Sequence, residues 1–238
     1  MGQDIVILVH MKNNILLILG LLFLTLNCNS QIKYNENLKK ELQNILFTDQ
    51  IYREFTDNNT PKERKEEIAK LTNTTVEILY KDIFKIMEQT DKENFEKVKI
   101  IVKNYGYPGK SLVGVPENTA VFYVIQHNPD KISEYYPIIE KAGKNNELPF
   151  SLVAMMLDRK LTGEHKEQIY GTQLAMKQIT NEKTGQKESF IYVLPIEDSI
   201  NVNKRRMEAG FDTTVEDNAK RFGIEYKSYT YGELDAIK

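Results

Sequence analysis

A mainly helical α+β fold with one β-hairpin follows from three observations on this sequence. Apolar residues recur at three- and four-residue spacing through the first half. Two later segments, "ENTAVFYVIQHN" and "PFSLVAMMLDRK", are helix-length and apolar nearly all round, as buried helices are. Near residue 168 the period shortens, and two strand-like pieces flank a run of turn residues.

The elements follow in order. In "NLKKELQNILFTDQIYREF", Leu38, Leu42, Ile45, Leu46 and Ile51–Tyr52 keep helical spacing. "DNNTPKER" interrupts with turn chemistry, and Pro61 suits the first turn of a helix. Ile68, Leu71, Thr75, Leu79, Ile83 and Ile86 form one stripe, predicting a long amphipathic helix over Lys62–Gln89. Asp91 then caps a further helix to about Lys103, and "NYGYPGKSLVG" is a loop. Residues 31–104 thus read as a helical N-terminal region, a solvated spacer or collar, and residues 105–238 as the core domain.

Within that core, "PDKISEYYPIIEKAGKNNE" is amphipathic, starts with Pro129 and loosens at Gly143. Short connections make the three successive helices antiparallel neighbours. The first and third then run parallel and carry "QH" (Gln126, His127) and "DR" (Asp158, Arg159) to one pole. "QIYGTQLAMKQI" and "ESFIYVLP" form the hairpin across "TNEKTGQK". A helix around Val202–Glu208 stopped by Gly210, a short helix near Val215–Phe222 and a polar tail complete the chain.

The start of the chain carries a targeting signal. From Met11, which reads as the true start, a lysine precedes an apolar run from Ile15 to Leu26. That run is short for a bilayer span and has the length of a signal-peptide core, so residues 1–30 are expected to be a signal peptide. "LTLNC" resembles a lipobox, which makes Cys28 the expected lipidation site, although Asn27 stands where Gly or Ala is usual. Cleavage between Ser30 and Gln31, giving a secreted or periplasmic protein, is the alternative, and an uncleaved anchor is a third. Cys28 is the one cysteine, so no internal disulfide can form and the core must supply the stability. The expected location is the cell envelope, with the membrane met through a lipid anchor only.

Charge excludes one class of partner. Lys+Arg 32 against Asp+Glu 34 leaves a net charge of -2, whereas nucleic-acid binding needs concentrated positive charge. The sequence shows no phosphate loop and no Ser or Cys nucleophile motif, so no cofactor is expected. No metal site is expected either, because only His127 and His165 remain beyond the signal segment and metal centres want three or four ligands.

The chemistry that remains is polar. His127 beside Asp158 could work as an acid–base pair, the carboxylate orienting the imidazole; equally, His127 could cap its helix. Arg205 and Arg206 could grip an anion or pair with Glu197 and Asp198. Read as a strand, "QIYGTQ" sets Gln168, Tyr170 and Thr172 on one face and Ile169, Gly171 and Gln173 on the other. It is either the wall of a polar pocket or a buried hydrogen-bond network. The candidate catalytic residues are therefore His127 and Asp158. The candidate ligand-binding residues are Gln126, Arg159, Gln168, Tyr170, Thr172, Gln173, Arg205 and Arg206. The expected partner is a small anionic or peptide-like ligand, or another envelope protein; the alternative function is a hydrolase using a His-activated water. His127, Tyr170, Thr172 and Arg206 are expected to converge on one cavity.

The succession "GYPG", "VG", "VIQH", "MLDR", "QIYGTQ", "PIED", "VNKRR", "AGF" resembles the bacterial domain of unknown function 6624 family, over roughly residues 35–220. Its members tend to show Trp where Tyr107 stands and a small residue where Asn128 stands. The resemblance implies that "QH", "DR", "YGTQ" and "RR" belong to one pattern, and it brings no established activity.

Overall fold

The structure, a computed structural model, describes residues 33–181 and 184–237; the signal segment and Cys28 lie outside the described residues. The predicted fold class holds: helices dominate, with one two-stranded antiparallel sheet.

Helix α1 (Glu36–Thr56) begins where the Asn35 side chain accepts the Leu38 N–H at 3.1 Å. The predicted helix over 62–89 is instead two. Helix α2 (Lys62–Leu71) stops at a turn in which Asn73 takes a positive φ of 53°. Thr75 then caps a new helix, α3 (Val76–Tyr105), 30 residues long. A stripe of apolar side chains continues in phase across such a break, so periodicity alone could not locate it. The cap expected at Asp91 is absent, because α3 runs straight through that position. Asp91 instead forms an ion pair with Arg53 on α1.

After a short helix, α4 (Lys110–Val113), come α5 (Ala120–Gln126), α6 (Ile132–Lys144) and α7 (Phe150–Gly163). Gly143 does not end α6; with no side chain, it makes room for Val153 of α7, whose Cγ2 would lie 2.4 Å from an added Cβ. The main core joins Leu38, Leu42 and Ile45 of α1 and Val98 and Ile101 of α3 to Phe122, Ile125, Ile139 and Val153. Helix α1 is therefore structural core rather than a solvated collar, and one hydrophobic cluster crosses the expected boundary at residue 104. Tyr107 is built into the same region and donates its hydroxyl to Asn118 O at 2.7 Å.

The hairpin pairs β1 (Leu174–Thr180) with β2 (Lys187–Val193), with Leu174 opposite Val193 and Thr180 opposite Lys187. It starts six residues later than expected, because Gln168 forms only an isolated bridge with Ile196 and residues 169–173 are not strand. Helices α8 (Val202–Glu208) and α9 (Val215–Arg221) pack Val202, Val215 and Ala219 against Val193 and Ile196 in a smaller core. The polar tail contains α10 (Tyr231–Ala236), whose Thr230 and Glu233 form a capping box. Lys177 of β1 donates to the carbonyl of Ile237 at 2.9 Å and ties that tail to the hairpin.

Candidate functional site

Asp158 organises the "QIYGTQ" segment. It sits near the middle of α7, fully buried at 0% exposure. Its carboxylate accepts the backbone N–H of Ile169 at 2.8 Å, Tyr170 at 3.0 Å and Thr172 at 3.0 Å, and the Thr172 hydroxyl at 2.9 Å. Consecutive N–H groups can aim at one point only if the chain curls, and Gly171 permits the curl with a φ of +67°. Burial pushes the Asp158 carboxyl above its ordinary value, and these four donors pull it back only in part.

Gln168 completes the curl. Its Oε1 accepts the Gln173 N–H at 2.8 Å, while its Nε2 donates to Gln173 O and Leu194 O at 2.9 and 2.8 Å. The side chain thus takes the place of a strand neighbour, which explains a buried glutamine. Gln173 in turn donates to the Thr172 hydroxyl at 2.9 Å. The strand alternation expected for this stretch does not apply.

The two arginines of α8 bind the same loop from outside. Arg205 donates to Ile169 O at 2.9 Å and to the Asp198 carbonyl at 3.0 Å, and its guanidinium lies 3.4 Å from the Asp198 carboxylate. Arg206 is 2% exposed and donates to Thr213 O and Tyr170 O, both at 2.8 Å, and to the Thr213 hydroxyl at 3.1 Å. The Phe211 ring lies under it at 4.5 Å. All its hydrogen-bond partners are neutral, and burial lowers its pKa from the ordinary arginine value. It borders a cavity of about 390 Å³ together with Ser151, Met155, Thr172, Phe211 and Arg221.

His127 has a different partner from the one expected. It follows the last residue of α5, and its Nδ1 lies 3.1 Å from Oδ1 of Asp49 on α1, not against Asp158. Asp49 is 0% exposed, and Gln50 donates to its second oxygen at 2.6 Å. Arg53 donates to the Asp49 carbonyl and grips both oxygens of Asp91 at 2.8 Å. Gln126 places its Nε2 3.2 Å from the outer nitrogen of His127, and Arg159 donates to Gln126 O at 3.0 Å. The pole expected to join "QH" and "DR" therefore forms through Arg159, while Asp158, the preceding residue, turns to the loop.

The expected residues thus fall into two groups. Gln126, His127 and Arg159 meet beside Asp49; Asp158, Gln168, Tyr170, Thr172, Gln173, Arg205 and Arg206 gather around the loop. His127 is not among the residues lining the cavity at Arg206, so the four-residue convergence is corrected to a pair, Thr172 and Arg206.

Sequence reasoning missed Asp49, Arg53 and Asp91, although a signal was present. Asp49 continues the stripe Leu38–Leu42–Ile45, and Asp91 and Asn94 precede Val98 and Ile101 on the buried face of α3. Charged or amide residues on an apolar stripe are buried polar groups, which must be paired or serve a purpose.

No curated protein and no solved structure matches the chain. A family model, described as a family of unknown function (DUF6624), matches residues 59–223. That span contains α8, the "QIYGTQ" loop and both dipeptides "QH" and "DR", and the chain belongs to this family.

Proposed function

We propose that this is an envelope-associated protein that binds a small anionic or peptide-like ligand in the cavity between α7, α8 and α9. The observation that supports it is Arg206, a nearly fully buried guanidinium that borders the cavity and whose hydrogen-bond partners are all neutral, while the carboxylates of Asp158, Glu216, Asp212 and Asp217 act on it without a hydrogen bond. Burying a charge is costly unless it is compensated, and a carboxylate or phosphate in the cavity would supply the compensation through the bidentate geometry arginine favours. Arg221 adds a second cation, and the Ser151 hydroxyl can donate to ligand oxygens. Asp212 on the same wall suits the amino group of a peptide-like ligand. A volume of about 390 Å³ lies in the range of small-molecule sites.

The test is thermal shift and calorimetry on the purified protein with inorganic phosphate, citrate and dipeptides. At least one should raise Tm and bind with one-to-one stoichiometry. Arg221→Ala, on an exposed side chain, should weaken that binding about tenfold, one charge-assisted contact, and leave the unliganded Tm within about 2 °C. Binding that Arg221→Ala leaves unchanged, or no stabilisation by any of these anions, would overturn the reading.

The envelope assignment rests on the segment Met11–Cys28. In cells, Cys28→Ser should move the protein from the membrane fraction to the soluble fraction. A wild-type protein already soluble without detergent would contradict lipidation.

A further inference from the structure

We propose that Asp49, Asp91 and His127 form a divalent metal site at the seam of α1, α3 and the end of α5. Their candidate ligand atoms all lie within 4.8 Å of one another. Metal–ligand bonds of about 2.1 Å put the farthest pair about 4.2 Å apart, so closing the set takes shifts of about half an ångström. The His127 Nδ1 to Asp49 Oδ1 separation of 3.1 Å corresponds to an angle of about 95° at such a metal. That is a cis pair of an octahedral centre, which suits Mn²⁺ or a similar ion with water in the open positions.

Charge points the same way. Two carboxylates share one guanidinium, Arg53, so a second positive charge beside the wholly buried Asp49 comes from a protonated His127 or, with His127 neutral, from a metal ion. Arg53 uses both Asp91 oxygens, but each oxygen keeps a further lone pair for a metal. Its own positive charge opposes a cation and weakens the affinity.

An independent observation singles out the same seam. Asn94 is 1% exposed, and its Nδ2 has no hydrogen-bond partner. It stands one turn beyond Asp91 on α3, and its Oδ1 accepts from Thr48, the neighbour of Asp49. A buried amide donor without an acceptor is costly, and water brought into this seam by a metal would offer it one. Gln126, 3.2 Å from the outer nitrogen of His127, can turn its amide to accept that N–H once Nδ1 binds metal, the usual support for a ligating histidine.

The experiment uses purified protein stripped with chelator and titrated with Mn²⁺, free ion being followed by electron paramagnetic resonance. One equivalent should bind. His127→Gln and Asp91→Asn, both on partly exposed side chains, should each weaken binding at least tenfold, whereas His165→Ala should not. In the wild type, substoichiometric Mn²⁺ should broaden the His127 imidazole resonances before those of His165, a readout that needs no variant. No uptake at millimolar Mn²⁺, or uptake that leaves the His127 resonances sharp, would overturn the site.

Discussion

Asp158→Ala is expected to cost about 4 kcal/mol of stability, a fall of about 8–16 °C in Tm for a domain of this size. The carboxylate does not merely touch the "QIYGTQ" loop; it is what the loop closes around. Its removal leaves the N–H groups of Ile169, Tyr170 and Thr172 and the Thr172 hydroxyl without their acceptor. Each buried orphan costs about 1–3 kcal/mol, less whatever water recovers in the space vacated. Asp158→Asn should cost less, about 2–3 kcal/mol, since one oxygen survives while the new amide hydrogens face N–H donors. Chemical denaturation would measure both, and a loss below about 1 kcal/mol for the alanine variant would show that the loop holds without its anchor.

The pH dependence of this group has a definite sign. Burial holds the Asp158 carboxyl above its ordinary 3.8, so the folded chain keeps that proton more tightly than the unfolded one. Between 3.8 and the folded value, Asp158 therefore adds stability as pH falls and loses it as pH rises. The deficit of Asp158→Asn against wild type should widen on acidification through that window. A deficit that shrinks would mean that the four donors outweigh burial.

Most of the fold was legible because periodicity and capping act locally. The apolar stripes of α1 and α3 and the buried faces of α5 and α7 exist in the sequence before any tertiary contact does. What was not legible depended on partners distant in the chain. Asp158 and His127 share a helical pole in the sequence reading, yet each finds another partner: Asp158 the backbone 11–14 residues ahead, His127 a carboxylate 78 residues back. Counting histidines could not bring His127 together with Asp49 and Asp91, because those carboxylates lie on α1 and α3, read there only as carriers of an apolar face. The "QIYGTQ" segment misled in a more specific way. Alternating side chains suggested a strand, but the glycine between Tyr170 and Thr172 was the stronger signal, since it permits the turn that points three N–H groups at one carboxylate.

Gly171→Ala tests that turn directly and should cost about 3 kcal/mol. Two independent penalties apply. At φ +67° an L-residue pays about 1 kcal/mol or somewhat more that glycine does not. The added Cβ would also lie 2.7 Å from Val215 Cγ2 and 2.8 Å from Ile196 Cδ1, inside the smaller core, where overpacking typically costs about 1–3 kcal/mol. Those two neighbours belong to different elements joined through that core, so neither moves without disturbing α9 or the end of the hairpin. The carbonyl of Gly171 also accepts from Asn218 of α9 at 3.2 Å, and any retreat of the backbone would stretch that bond. Combined with Asp158→Ala, the loss should fall well short of the sum, because a loop released from its carboxylate can carry the methyl away from Val215 and Ile196. Additive losses would mean that the glycine and the aspartate act on separate features. A Gly171→Ala variant as stable as wild type would show that the loop adapts without the left-handed residue.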